Sequence, residues 1–174
     1  MITLICGTNR NDSVSEKITN IYSNLIKKEN VELSIIDLKD LPYDFINTSL
    51  YENAGSNTEF SPLRKQMTDS EKFFFVIPEY NGSFPGVLKA FIDGLKFPDT
   101  FQNKKAALMG ISSGMQGAGL ALSHFTDILN YMGTHVLANK PKLNHIQQNF
   151  DGEELTNPVF MELIEEQVNQ FLKF

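Results

Sequence analysis

Apolar and polar positions follow two rhythms along the chain. Met1–Cys6 (MITLIC), Lys72–Pro78 (KFFFVIP) and Lys105–Ile111 (KAALMGI) are near-continuous apolar runs of strand length. Such runs mark strands covered on both faces. Val31–Asp37 alternates apolar and polar residues, and Thr134–Ala138 is a short fifth run, so five strands are predicted. Between them the period lengthens. Ile18, Ile21, Tyr22, Leu25 and Ile26 recur at three- and four-residue spacing, the mark of an amphipathic helix. The same spacing joins Val87, Leu88, Phe91, Ile92 and Leu95, and then Ala118, Ala121, Leu122, Phe125, Ile128, Leu129 and Met132. A C-terminal helix carries Phe160, Leu163, Ile164, Val168, Phe171 and Leu172, with Asn157 and Pro158 as its cap and first-turn pair. Pro62–Asp69 fits a further short helix.

Strands alternating with helices predict an α/β fold, a parallel sheet with helices on both faces. Right-handed crossovers leave few topologies, and the doubly wound five-stranded order 2-1-3-4-5 is expected. With 174 residues, the chain has the length of about one domain, so residues 1–174 are read as a single domain. In such folds ligands sit beyond the carboxyl ends of the strands, at the topological switch beside the first strand. Three loops lie there: Gly7–Ser15, Pro78–Gly86 and Ser112–Gly119, all rich in Gly, Ser, Asn or Thr. The long stretch Asp40–Glu59 should lie at the same end.

Composition narrows the function. The 15 Lys and Arg against 21 Asp and Glu leave a net charge of −6 with no basic run, which argues against a nucleic-acid partner. The 41% hydrophobic content excludes wholesale disorder. Cys6 stands alone, so no internal disulfide or cysteine-rich zinc site is available. The three histidines are scattered, and no metal site is expected. No apolar stretch approaches the ~18 residues of a membrane span. The first apolar run meets Gly7 and Arg10 without a basic region, unlike a signal peptide, so a cytoplasmic location is expected. Fourteen Phe and no Trp are many aromatics for a small core, and some are expected at an interface.

Each loop carries candidate chemistry and a plainer alternative. Thr8, Arg10, Ser13 and Ser15 surround the start of a helix. Hydroxyls, a guanidinium and free helix N–H groups suit a phosphate. The loop lacks both GxGxxG and GxxxxGK[ST], which points to a small monophosphate. Alternatively Ser13 and Glu16 form a capping box that needs no ligand. In the second loop, Pro78-Glu79-Tyr80-Asn81-Gly82-Ser83 offers a flat Tyr face and backbone amides around Asn81–Ser83. Alternatively it is a rigid strand-to-helix turn fixed by Pro78 and Pro85.

The second loop, P-E-Y-N-G-S-x-P-G followed by L-K and Asp93, resembles the NADPH-dependent FMN reductase family of flavodoxin-like flavoproteins. The first loop is similar to that family's G-[ST]-x-R-x-x-S pattern, and Ser112–Gly117 to its S-x-G-x-x-G segment. The resemblance implies bound FMN and reduction by NADPH or NADH. It implies a small-molecule electron acceptor: a flavin, quinone, azo dye or metal oxyanion. It also implies a homodimer or homotetramer. By resemblance, Thr8, Arg10, Ser13 and Ser15 hold the FMN phosphate. Pro78, Glu79, Tyr80, Asn81, Gly82 and Ser83 border the isoalloxazine, and Ser113, Gly114 and Gly117 approach its other edge. No protein residue is expected to act as a catalytic nucleophile, since the flavin carries the chemistry. Asp40–Glu59, with Tyr43, Phe45 and Tyr51, is read as a cover for the flavin, including across a dimer interface. Two departures stand out. Ser15 replaces a frequent Asn, and Ala121 and Leu122 lie where relatives often carry an arginine, so NADPH and NADH are not separated.

Rival readings are a flavodoxin-type electron carrier, a flavin-binding sensor and a serine hydrolase. The last rests on Gly110-Ile111-Ser112-Ser113-Gly114, which matches G-x-S-x-G. Asp127 and then His135 or His145 follow in triad order.

Overall fold

The computed structural model describes residues 1–174. Its strands are β1 (Ile2–Cys6), β2 (Leu33–Asp37), β3 (Lys72–Pro78), β4 (Lys105–Ile111), β5 (His135–Val136) and β6 (Lys142–Leu143). Its helices are α1 (Val14–Lys28), α2 (Phe45–Thr48), α3 (Ser61–Asp69), α4 (Gly86–Asp93), α5 (Gly119–Tyr131) and α6 (Pro158–Lys173). The sheet runs β2-β1-β3-β4-β5 with every pairing parallel. This is the predicted 2-1-3-4-5 order.

The apolar runs are strands buried twice over. Alternate residues of β3 feed opposite cores: Phe73, Phe75 and Ile77 face α3, α4 and α5, while Phe74 and Val76 face α1 and α6. Ten phenylalanines are buried, among them Phe60, Phe73, Phe74, Phe75, Phe91, Phe101, Phe125 and Phe171. Each is worth about 1.5–3 kcal/mol of burial. The aromatic surplus therefore builds the core rather than an interface, and Phe97 is the large exposed exception. Asn157 caps α6 as expected, its side chain accepting from the Val159 N–H at 3.1 Å.

The fifth strand departs from its predicted span, Thr134–Ala138. It is split into β5 and β6, which pair with opposite ends of β4. Lys105 lies opposite His135 but Gly110 lies opposite Lys142, so two extra residues bulge out between them. Pro141 ends the bulge. It has no N–H to offer, and its carbonyl accepts from Gly110 N at 2.9 Å. The gap is filled from α6. The buried Gln167 amide donates to Leu108 O at 2.8 Å and to Asn139 O at 3.0 Å, and its oxygen accepts from the buried Tyr22 hydroxyl at 2.7 Å. One side chain thus replaces a missing rung of the ladder.

The stretch Asp40–Glu59 is not a bare loop. It contains α2 and a 3₁₀ turn at Tyr51–Asn53. Phe45 and Leu50 are buried in the core, and the Phe45 ring meets Phe60 edge-on at 4.6 Å. Phe45 is therefore a core anchor and not a cover for a ligand, whereas Tyr43 and Tyr51 remain exposed.

Candidate functional site at the strand tips

β1 leads into Gly7, whose N–H bonds Val76 O at 2.9 Å. A Cβ there would lie 2.7 Å from that same oxygen, so only glycine lets the two strands close. The chain then turns into α1 with Ser13 as its N-cap, accepting from Glu16 N at 3.1 Å. The capping box is only half formed. The Glu16 carboxylate turns away to Lys39 Nζ at 2.6 Å, and Asp37 lies 3.5 Å from the same ammonium. The hydrogen bond to Glu16 raises the Lys39 pKa above its ordinary range, so the ammonium stays charged. Glu16 is thereby neutralised and directed away from the loop, and the Ser13 proton is left over for another acceptor. Ser13, Ser15 and Thr8 are buried; Arg10 is exposed.

The second loop is a hairpin turn that the prolines concealed. Tyr80 N donates to Ser83 O at 2.8 Å and Ser83 N to Tyr80 O at 3.0 Å. Asn81 and Gly82 have φ of 51° and 76°, the signature of a type I′ Asn-Gly turn. That dipeptide is the signal that would have found it. The Ser83 amide, expected to face a ligand, is consumed by the turn, and only those of Asn81 and Gly82 stay outside the pair. The Ser83 hydroxyl instead shares a 3.0 Å hydrogen bond with His124 Nδ1 on α5.

The loops are tied to one another. Thr8 Oγ1 and the Tyr80 hydroxyl lie 2.6 Å apart, joining the first loop to the second. Glu79 Oε2 accepts from Ala118 N at 3.0 Å, joining the second to the third. Glu79 therefore spans two loops instead of simply bordering a ring. Ser112 Oγ both donates to Gly114 O and accepts from Gly114 N at 3.0 Å, folding the third loop on itself.

A cleft of about 210 Å³ opens between the three strand tips. Thr8, Arg10, Ser13, Ser15, Pro78, Glu79, Tyr80 and Ser113 line it. Asn81, Gly82, Ser83 and Gly114 lie outside its lining. Gly117 is buried, and a Cβ on it would lie 2.7 Å from Lys142 Cβ, so it serves close packing on β6. Asp12, Val14, Ile111, Ser112, Ile146 and Gln147 complete the wall. Ile146 and Gln147 carried no sequence signal. They arrive from beyond β6 because Ile146 N bonds Ser112 O at 3.1 Å. Arg10 is the only cation on the cleft. Ala121 and Leu122 are buried, so the surface available on the first turns of α5 is that of Leu120, Ser123 and His124.

The geometry disposes of the serine-hydrolase reading. Ser112 sits past the carboxyl end of β4, whereas His135 pairs with Lys105 at its other end, about 20 Å away at ~3.3 Å per residue. Asp127 lies on a separate groove between α4 and α5. His145 touches the third loop through its backbone, its N–H bonding Gly114 O at 3.2 Å.

Sheet order and strand-tip cleft together define a flavodoxin-like α/β protein. A flavodoxin from the domain Archaea superposes with a TM-score of 0.64 at 13% identity, over 99% of this chain and 98% of that one. The flavoenzyme NAD(P)H:(acceptor) oxidoreductase FerB of Paracoccus denitrificans gives 0.80 at 22% identity, over 99% and 94%. In sequence, the NAD(P)H:quinone oxidoreductase of Solanum tuberosum is 32% identical over 148 residues, covering 83% of this chain and 75% of that protein. An NAD(P)H-dependent FMN reductase of Pseudomonas aeruginosa is 31% identical over 143 residues, covering 79% and 75%. Residues 1–148 match the model of the NADPH-dependent FMN reductase family, and the chain belongs to that family.

Proposed function

We propose that the protein is an NAD(P)H-dependent, FMN-containing reductase whose acceptor is of the quinone class. The observation that carries this is the convergence of three cross-linked strand-tip loops on one cleft, within a chain that matches the FMN reductase family over residues 1–148. Quinone is the acceptor printed in the names of relatives from Solanum tuberosum, Arabidopsis thaliana and Pseudomonas putida.

The residues present suit FMN. Bound there, it would take a hydride from NADH or NADPH and pass electrons to the acceptor. The buried Ser13 and Ser15 hydroxyls, Thr8, the exposed Arg10 and the first amides of α1 form a donor set for a phosphate. Lys39 holds the Glu16 carboxylate away from that anion. On the ring side, Pro78, Glu79, Tyr80 and Ser83 give a fixed platform, and the amides of Asn81 and Gly82 are available as donors to ring carbonyls and nitrogens. A Cβ at Gly82 or Gly86 would meet nothing within 4 Å, and one at Gly114 only Ser112 Oγ at 3.6 Å. Gly82 is required by its own left-handed φ of 76° in the type I′ turn. Packing requires neither Gly86 nor Gly114, whereas a planar ligand lying close to the backbone would. Ser113 borders the same side, while Gly117 acts one layer back by seating the loop on β6. A cleft of 210 Å³ is below the ~300–1,000 Å³ of an enclosing ligand pocket. A cleft this small would not enclose FMN, so nicotinamide and acceptor would reach it in turn from the solvent side.

The two cores share one sheet, which supports reading residues 1–174 as a single FMN-binding domain. An apolar groove of about 570 Å³ between α4 and α5, with Phe97 and Tyr131 exposed at it, supports a homodimer or homotetramer built on that face. No helix is long and apolar enough to cross a membrane. We assign the reaction to the cytoplasm, where NAD(P)H is available.

The test is oxidation of NADH and NADPH by purified protein supplied with FMN, with quinone, free flavin and azo acceptors compared. Turnover with a quinone is expected. A carrier of flavodoxin type or a sensor would bind FMN yet oxidise neither nucleotide at a useful rate. That result would overturn the reductase reading.

A further inference from the structure

We infer that the Thr8–Tyr80 hydroxyl pair couples the phosphate seat to the ring seat, so that an anion in the first loop tightens ring binding by the second. The inference rests on the FMN reading above and adds to it a source of selectivity for FMN over riboflavin beyond direct phosphate contacts.

The geometry is specific. Thr8 is 1% exposed, and its Oγ1 lies 2.6 Å from the Tyr80 hydroxyl. The same oxygen accepts from the Arg10 backbone N–H at 3.3 Å. Both residues line the cleft, Thr8 from the β1 loop and Tyr80 from the β3 loop. Tyr80 also opens the type I′ turn, pairing through its own N–H and carbonyl with Ser83. Whatever fixes Tyr80 therefore fixes the turn that carries the Asn81 and Gly82 amides.

A hydroxyl has one proton and two lone pairs. Two arrangements satisfy the 2.6 Å contact. In one, Thr8 donates to Tyr80, and the Tyr80 proton goes to solvent. In the other, Tyr80 donates to Thr8, whose lone pairs are then filled by Tyr80 and the Arg10 N–H while its own proton is free. A phosphate accepts and does not donate once ionised. It takes the Thr8 proton and leaves only the second arrangement, with Tyr80 locked as a donor. Arg10 enters twice, its side chain lining the cleft as the one cation there and its backbone N–H completing the Thr8 shell. Donating to the anion makes the Thr8 oxygen a stronger acceptor, so the anion strengthens the Tyr80 bond that holds the turn. By linkage, that strengthening is returned as an equal gain in affinity for a ring that needs the turn held there.

The experiment separates the two halves of FMN. Riboflavin is titrated into the full-length apo-protein by fluorescence quenching, with and without saturating inorganic phosphate, chloride serving as the ionic-strength control. Phosphate should tighten riboflavin about three- to tenfold, the worth of one net hydrogen bond. Tyr80→Phe keeps the ring and should bring the ratio to one. Thr8→Val should do the same, the double variant should add nothing, and Thr8→Ser, which restores a hydroxyl, should restore the ratio. Arg10→Ala should raise the phosphate concentration required while the plateau ratio stays. A wild-type ratio of one in protein that binds FMN overturns the coupling and leaves the flavin reading intact. A ratio that survives in Tyr80→Phe also overturns it. Protein that binds no FMN at all overturns the flavin reading itself, and the coupling falls with it.

Discussion

Replacing Glu79 with alanine removes the acceptor of the Ala118 N–H, which lies 3.0 Å from Oε2. Ala118 is fully buried and left-handed at φ 66°, immediately before α5. It has no side-chain cap of its own, so the donor would lose its partner in a place water does not reach readily. Hydrogen bonds to charged groups contribute about 1.5–3 kcal/mol, and an orphaned buried donor costs about 1–3. Taking about 2 kcal/mol, and about 2–4 °C per kcal/mol for a chain of this size, Glu79→Ala should lower Tm by about 4–8 °C. Glu79→Gln keeps an oxygen in place and gives up only the charge and its interaction with the helix N-terminus. Its loss should be about 1 kcal/mol, or about 2–4 °C. Thermal unfolding of the apo-protein by circular dichroism reads both shifts without any ligand. An alanine variant melting within about 1 °C of wild type would refute the reasoning. So would a glutamine variant as unstable as the alanine one, since then no oxygen-specific bond was lost.

Other consequences are as direct. Gln167→Leu strands the Tyr22 hydroxyl and the Leu108 and Asn139 carbonyls; a loss of about 2–4 kcal/mol in urea unfolding is expected, from two or three orphaned groups. Burial pushes the Cys6 thiol up to about 11 from 9.0. The native thiol is therefore protonated where the unfolded one ionises, so stability should fall as pH rises from 9 to 11. Cys6→Ala should flatten that limb of the pH–stability curve. Arg10→Ala should weaken FMN more than riboflavin in calorimetry; equal losses would remove Arg10 from the phosphate site.

The fold was legible because β1, β3 and β4 are buried on both faces and leave unbroken apolar runs, while the helices keep their polar sides wet. The fifth strand was not. Its pairing depends on Gln167, which lies far along the chain, and a buried amide on an amphipathic helix reads as one more polar surface residue. The site was legible as three loops but not as a network. Glu79, Tyr80 and Ser83 were read as bordering a ligand, and each is also engaged with another loop or helix, because polar side chains at neighbouring strand tips find each other across the sheet. Ile146 and Gln147 had no local signature at all, since tertiary packing alone brings them to the cleft. Phe45 misled for the opposite reason. An aromatic in a weakly periodic stretch looks like a free cover, but here it anchors the stretch in the core.

The glycines show which part of the loops protein packing determines and which part it leaves to a ligand. A Cβ at Gly110 would lie 2.6 Å from Gly117 O, a backbone atom that cannot move aside cheaply. Gly110→Ala should therefore destabilise the apo-protein. Gly114 has no such neighbour and no left-handed φ. Gly114→Ala should leave the apo-protein as stable as wild type, or more stable by about 0.4–1 kcal/mol through a less flexible unfolded chain. If the ring lies against that backbone, the added methyl displaces it, and FMN affinity should fall by about tenfold or more, the equivalent of at least ~1.4 kcal/mol. Paired measurements of Tm without ligand and of FMN binding separate the two glycines. Equal FMN affinity in Gly114→Ala and wild type would mean that the third loop does not approach the ring, whatever the first two loops do.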